Sequence, residues 1–183
     1  MNNELEFAPE LSTSHWINSD TPITLKSLRG KVVVIEAFQM LCPGCVSHGL
    51  PQAMRIRQSF SEADVTVLGL HTVFEHHEAQ GSKEALAAFM HEYQINFPVG
   101  IDLNASGRRL PETMARYGLR GTPSLVLIDR EGRFQEQFFG SVSDISIGAK
   151  IMELVMNVTR DVNDPAASHS GGCDSGGCAI GAG

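Results

Sequence analysis

Val33-Val34-Ile35-Glu36-Ala37-Phe38-Gln39-Met40-Leu41-Cys42-Pro43-Gly44-Cys45 is the stretch that decides the fold. A continuously apolar, β-branched run is the pattern of a strand covered on both faces, and a single acid, Glu36, interrupts it. The run ends in a short loop and two cysteines flanking a Pro-Gly pair. Proline is favoured at the first position of a helix, where it gives up no hydrogen bond and its φ is already helical. With Pro43 there, Cys42 becomes the N-cap residue and Cys45 falls in the first turn. Free backbone N–H groups and the positive end of the helix dipole favour an anion at that spot. A thiolate is such an anion, so Cys42 is expected to be acidic and nucleophilic. Cys45 is close enough to close a small disulfide ring with it. The spacing alone fits half a zinc site as well as a redox pair; the strand-loop-helix setting favours redox.

The totals fit a soluble chain. Its 183 residues suffice for one domain with a sizeable core and an appendage. Formal charge is −7 and the isoelectric point is near 5.4, which argues against nucleic acid or anionic lipid as partner. Met1-Asn2-Asn3-Glu4-Leu5-Glu6-Phe7 has neither the basic region nor the apolar run of a signal peptide. No stretch approaches the roughly 18 apolar residues of a membrane span. Four cysteines in such a chain point to catalytic or metal-binding thiols, and the expected compartment is the reducing cytoplasm.

Outward from the decisive stretch, residues 1–13 form a polar lead-in that is expected to be weakly ordered. Trp16 to Leu25 reads as an edge hairpin turning at Asn-Ser-Asp-Thr-Pro. The helix from Pro43 should run to about Phe60 with a kink at Pro51. Asp64 to Leu70 is a second buried strand, and His71 to Glu78 a loop at its end. Ser82 caps a helix through about Tyr93, with Leu86, Phe89, Met90 and Tyr93 on one face. A short strand over 97–102 and a helix from Leu110 to Tyr117, closed by Gly118, follow. Gly121-Thr122-Pro123 then enters a hairpin, Ser124–Ile128 and Arg133–Phe139, turning at Asp129-Arg130-Glu131-Gly132. A last amphipathic helix spans Asp144 to about Thr159. Alternating strands and helices with a closing hairpin give an α/β domain over residues 14–160, a mixed central sheet flanked by helices.

Residues 161–183 differ in composition. From Pro165 onward there are six glycines and almost no bulky side chain, so this tail is expected to be flexible. It nevertheless carries His169, Cys173 and Cys178. Three readings compete: a secondary redox pair on a swinging tail, a soft-metal or metalloid site, and incidental thiols.

The Cys42-Pro43-Gly44-Cys45 motif after a buried strand, with Gly121-Thr122-Pro123 far downstream, resembles the thioredoxin superfamily. Leu28-Arg29-Gly30-Lys31-Val32-Val33-Val34 and the insert over residues 71–97 place the likeness in its redoxin branch, among the TlpA-like thiol–disulfide oxidoreductases. It covers roughly residues 14–158. The resemblance implies a thioredoxin-like fold with an N-terminal hairpin extension, and dithiol–disulfide exchange without a cofactor or a metal. Cys42 would attack and Cys45 resolve. Pro123 would be a cis-proline facing the disulfide, while Leu41 and the Thr122 backbone meet the substrate. Protein or small-molecule disulfides would be the substrates, and a thioredoxin or its reductase the reducing partner. Leu41 stands where thioredoxins usually have Trp, and His48 where many membrane-associated TlpA-like proteins have Glu.

Two further residues are candidates. Glu36, six residues before Cys42, sits where thioredoxins carry a buried acid; burial would raise its pKa and suit it to take the Cys45 proton. His48, three after Cys45, would share its helical face and relay protons near neutral pH. A contribution from His71 is also open, whereas His76-His77 reads as a solvated polar run. Two other functions compete. A peroxiredoxin-like peroxidase would need Pro and Thr in Pro-x-x-x-Thr-x-x-Cys, and Ile35 and Gln39 occupy those positions. The other is a metal-binding or metalloid-binding module built on the cysteines.

Overall fold

The computed structural model describes residues 6–104 and 109–156. Six strands form one sheet: β1 (Thr13–Ile17), β2 (Val32–Phe38), β3 (Val65–His71), β4 (Val99–Asp102), β5 (Ser124–Ile128) and β6 (Phe134–Phe139). They lie in the order β1-β4-β3-β2-β5-β6. β2, β3 and β4 run parallel, and β5 runs antiparallel to β2. β1 and β6 close the two edges antiparallel to β4 and β5. All seven residues of β2 are buried, as an apolar run broken only by Glu36 requires of an inner strand with helices on both faces.

Alternation along β2 divides the core. Val32, Val34 and Phe38 meet the helices α1 (Leu50–Ser59), α3 (Lys83–Glu92) and α5 (Asp144–Met156) through Ala53, Ile56, Leu86, Met90, Ile147 and Ile151. Val33, Ile35 and Ala37 meet Met114 of α4 (Glu112–Arg116), with Tyr117 and Leu119, on the other side. Glu36 shares the parity of Val34 and Phe38, so its side chain points under the helix that carries the cysteines.

The α/β architecture is the one expected, with local differences. The N-terminal extension is not a hairpin. β1 pairs with β4 instead, and Leu25–Leu28 forms a 3₁₀ turn. Thr24 caps that turn by accepting from Ser27 N–H, and the Glu10 carboxylate accepts from Leu25 and Lys26 N–H. Those three donors are thereby taken before a returning strand can use them. Residues 6–12 are tied down as well. Phe7 bridges Arg133, Ala8 N–H donates to Gly132 O, and Tyr117 Oη donates to Pro9 O. In α3, Leu86 and Met90 are buried as the period demands, but Tyr93 is half exposed, its ring resting on Phe89.

Pro51 does not simply kink its helix. The helix opens at Pro43, widens into a π-turn over Cys45–Gly49 and continues as α1. Leu50 N–H reaches back five residues to Cys45 O, so the widened turn stands directly before the residue that has no N–H to give. Among the described residues no helix is long and apolar enough to cross a membrane. The expected tail, with Cys173 and Cys178, lies outside the described residues.

Candidate active site

Cys42 is the N-cap residue that the sequence predicts. Its carbonyl accepts from Val46 N–H at 3.1 Å, and its Sγ accepts from Cys45 N–H at 3.2 Å. The two cysteines are joined as a disulfide with their Cα atoms 5.2 Å apart. They are unequal: Cys42 is partly exposed, whereas Cys45 is fully buried. An incoming sulfur therefore meets Cys42 first. The Thr122–Pro123 bond is cis, and Thr122 O lies 3.5 Å from Cys42 Sγ. Pro123 is buried and Thr122 half-buried beside the pair, while Leu41 projects into solvent at 56 % exposure.

Glu36 lies directly beneath this helix. It is 1 % exposed, and its Oε1 has no protein partner. Burial raises its pKa well above the usual carboxylate range, because a charge is penalised where water is scarce. Gly49 explains how helix and acid come so close. A methyl group at Gly49 would collide with Glu36 Oε1 and come within 2.9 Å of Pro123 Cβ; one at Gly44 would stand 3.2 Å from Pro123 Cδ. Cys45 and Gly49 are both buried, four residues apart on the inward side of the turn, so the acid lies about one turn below the buried sulfur.

A cleft of about 210 Å³ leads outward from Glu36, lined also by His48, Gln52, Arg55, Ser141 and Asp144. His48 stands exposed at this cleft, its Nδ1 2.7 Å from Ser47 Oγ. It does not share Cys45's face, because residues three apart no longer align once the helix widens into the π-turn. The structure thus groups His48 with Glu36 and Cys42 with Thr122 and Pro123.

His71 is buried with neither ring nitrogen bonded. Its ring packs against Phe38 at 5.3 Å, and burial lowers its pKa to about 4, so it is a neutral core residue near pH 7. Sequence reasoning passed over Gln39 and Gln80, whose buried amides hold the backbone just before Cys42. The signal available was a polar amide inside the otherwise buried Phe38-Gln39-Met40. It passed over Gly49 too, although a glycine inside a helix costs about 1 kcal/mol and so marks a close approach.

Known proteins match this arrangement. A crystal structure of a thioredoxin-like superfamily protein is 56 % identical, covers 82 % of this chain and 97 % of its own, and superposes with a TM-score of 0.80. A thiol-disulfide isomerase from Corynebacterium glutamicum is 46 % identical, with 85 % and 99 % coverage and a TM-score of 0.78. The thiol-disulfide oxidoreductase ResA of Bacillus thuringiensis is 29 % identical over 118 residues, 64 % of this chain and 60 % of ResA. The protein DipZ of Mycobacterium bovis is 29 % identical over 154 residues, 82 % of this chain, which spans only 21 % of DipZ. A family model described as the AhpC/TSA family matches residues 6–137. With its Cys42–Cys45 disulfide facing a cis-proline on a thioredoxin-like fold, the chain is a thiol–disulfide oxidoreductase of the redoxin branch and belongs to the AhpC/TSA family.

Proposed function

We propose that this oxidoreductase works as a reductase of protein or small-molecule disulfides in the cytoplasm, with Cys42 attacking and Cys45 resolving. The Cys42 thiolate attacks one sulfur of the substrate disulfide, forming a mixed disulfide and releasing the other sulfur as a thiolate. Cys45 then gives up its proton and attacks Cys42 Sγ, releasing the second substrate thiol. Substrate gains two electrons and the Cys42–Cys45 pair loses two, to be restored by a dithiol such as that of a thioredoxin or its reductase. The observation that carries this reading is the asymmetry of the pair: a partly exposed sulfur on the helix N-terminus, and a buried one about a turn from Glu36. The carboxylate of Glu36 is the base for Cys45, and the cleft past His48 gives the proton a way out through water.

The test is kinetic. Cys42→Ser should abolish reduction of oxidised glutathione, and Cys45→Ser should accumulate mixed disulfides visible by mass; turnover unchanged in Cys42→Ser refutes the assignment. Direction and compartment are checked by the equilibrium of the pair against glutathione buffers and by cell fractionation. The peroxidase alternative is disfavoured by Ile35 and Gln39, both buried where that motif needs Pro and Thr, and a peroxide-consumption assay decides it. For Cys173 and Cys178 we propose an internal relay. Thirteen residues from Arg160 to Cys173 give a root-mean-square reach of about 20 Å, against a core radius of gyration of about 15 Å. Metal content of the protein purified without added metal separates this relay from the metal-binding module.

A further inference from the structure

Two glutamines outside the sulfur chemistry tie the insert to the cysteine loop. Gln39 and Gln80 are only 2 % and 1 % exposed, and a buried amide is costly unless its atoms are bonded. Here they bond each other and the loop. Gln80 Nε2 donates to Gln39 Oε1 at 3.1 Å and to Glu75 O at 2.8 Å. Gln39 Oε1 also accepts from Phe74 N–H at 3.2 Å. Gln80 Oε1 accepts from Leu41 N–H at 3.0 Å, and the next N–H along, that of Cys42, donates to Gln39 O at 3.3 Å. The end of β2, the insert's first residues and the short helix α2 (His77–Gln80) therefore converge on the backbone just before Cys42. Packing does not hold Leu41 in place, since its side chain faces solvent; the amide of Gln80 does. His76, in the left-handed region at φ 54°, turns the chain immediately before α2.

We propose that Gln80 is a positioning residue for the exchange reaction: by fixing Leu41 N–H it keeps Cys42 Sγ over the N–H groups that open the helix. The donor seen at Cys42 Sγ, Cys45 N–H at 3.2 Å, and the positive end of the helix dipole stabilise the thiolate more than the thiol. Without the clamp the loop relaxes, Sγ drifts from its donor, and Cys42 becomes less acidic. The inference rests on Cys42 being the attacking thiol.

The experiment alkylates the reduced full-length chain with iodoacetamide across a pH series, reading Cys42 by peptide mass spectrometry, and follows reduction of oxidised glutathione at pH 7. Gln80→Met keeps the volume and loses the hydrogen bonds. The milder Gln80→Asn keeps an amide too short to reach Leu41. Leu86→Ala, in the neighbouring helix α3 and away from the loop, controls for a merely weakened insert. Both Gln80 variants should raise the Cys42 midpoint by about one unit and slow attack at pH 7 by up to about threefold, because the smaller thiolate fraction is partly offset by the greater nucleophilicity of a more basic thiolate, while Leu86→Ala leaves the midpoint in place. A folded Gln80→Asn protein with the wild-type midpoint and rate overturns the inference and leaves the proposed function standing. A wild-type Cys42 no more acidic than a free thiol overturns both.

Discussion

Glu36 is the residue where burial and chemistry pull in opposite directions. Its carboxyl lies in the protein interior with one oxygen unbonded, and its pKa is raised well above the usual range by loss of solvent. The native state therefore holds a proton that the unfolded chain has already released. Between the ordinary carboxyl pKa and the raised one, stability must fall as pH rises, because the native state binds the extra proton. Glu36→Gln keeps the shape and removes the titration. Urea midpoints measured against pH should slope downward in the wild type across that window, and the variant's curve should lack this component. If Glu36 takes the Cys45 proton, the same substitution slows release of the mixed disulfide without slowing single-turnover attack by Cys42. A variant that alters only the urea curve assigns Glu36 a structural part alone. Sequence suggested this acid from its position before Cys42; only the structure shows the cleft that joins it to His48.

At the scale of elements, β2 and the helix start at Pro43 were readable from sequence because both rest on local rules: an apolar run for an inner strand, and an N-cap followed by proline. The π-turn was not readable, since widening a helix by one residue answers to contacts far away in sequence. Gly49 is where those contacts meet, and it decides the sign of a substitution that helix propensity alone would misjudge. Gly→Ala within a helix gains about 1 kcal/mol by propensity. At Gly148 of α5 nothing stands within 4 Å of an added methyl group, so Gly148→Ala should stabilise by about 0.5–1 kcal/mol. At Gly49 the methyl runs into Glu36 and Pro123, and overpacking of this kind costs about 1–3 kcal/mol. Gly49→Ala should therefore destabilise, and denaturant titration of the two variants side by side checks the opposite signs. The N-terminal hairpin misread has a related cause: the turn signal around Pro22 is genuine, but Thr24 and Glu10 direct it into a 3₁₀ turn.

For the molecule as a whole, the described residues build a core on each side of the sheet. Val34, Phe38, Leu86, Ile147 and Ile151 pack on one side of the sheet, and Val33, Ile35, Leu70 and Met114 on the other. The composition of residues 161–183 offers little that is apolar to add to either core. Removing those residues should shift the melting temperature by less than about 2 °C, equivalent to roughly 0.5 kcal/mol for a domain of this size. Function separates what stability does not. If Cys173 and Cys178 relay electrons to the Cys42–Cys45 disulfide, the truncated chain keeps its single-turnover rate with oxidised glutathione but loses rate when a dithiol reductant must restore it. A Cys173→Ser/Cys178→Ser double variant should reproduce that loss with the chain length unchanged. Equal recycling rates in the wild-type, truncated and double-Ser proteins would remove the relay and leave the helix-borne pair of Cys42 and Cys45 as the whole of the redox machinery.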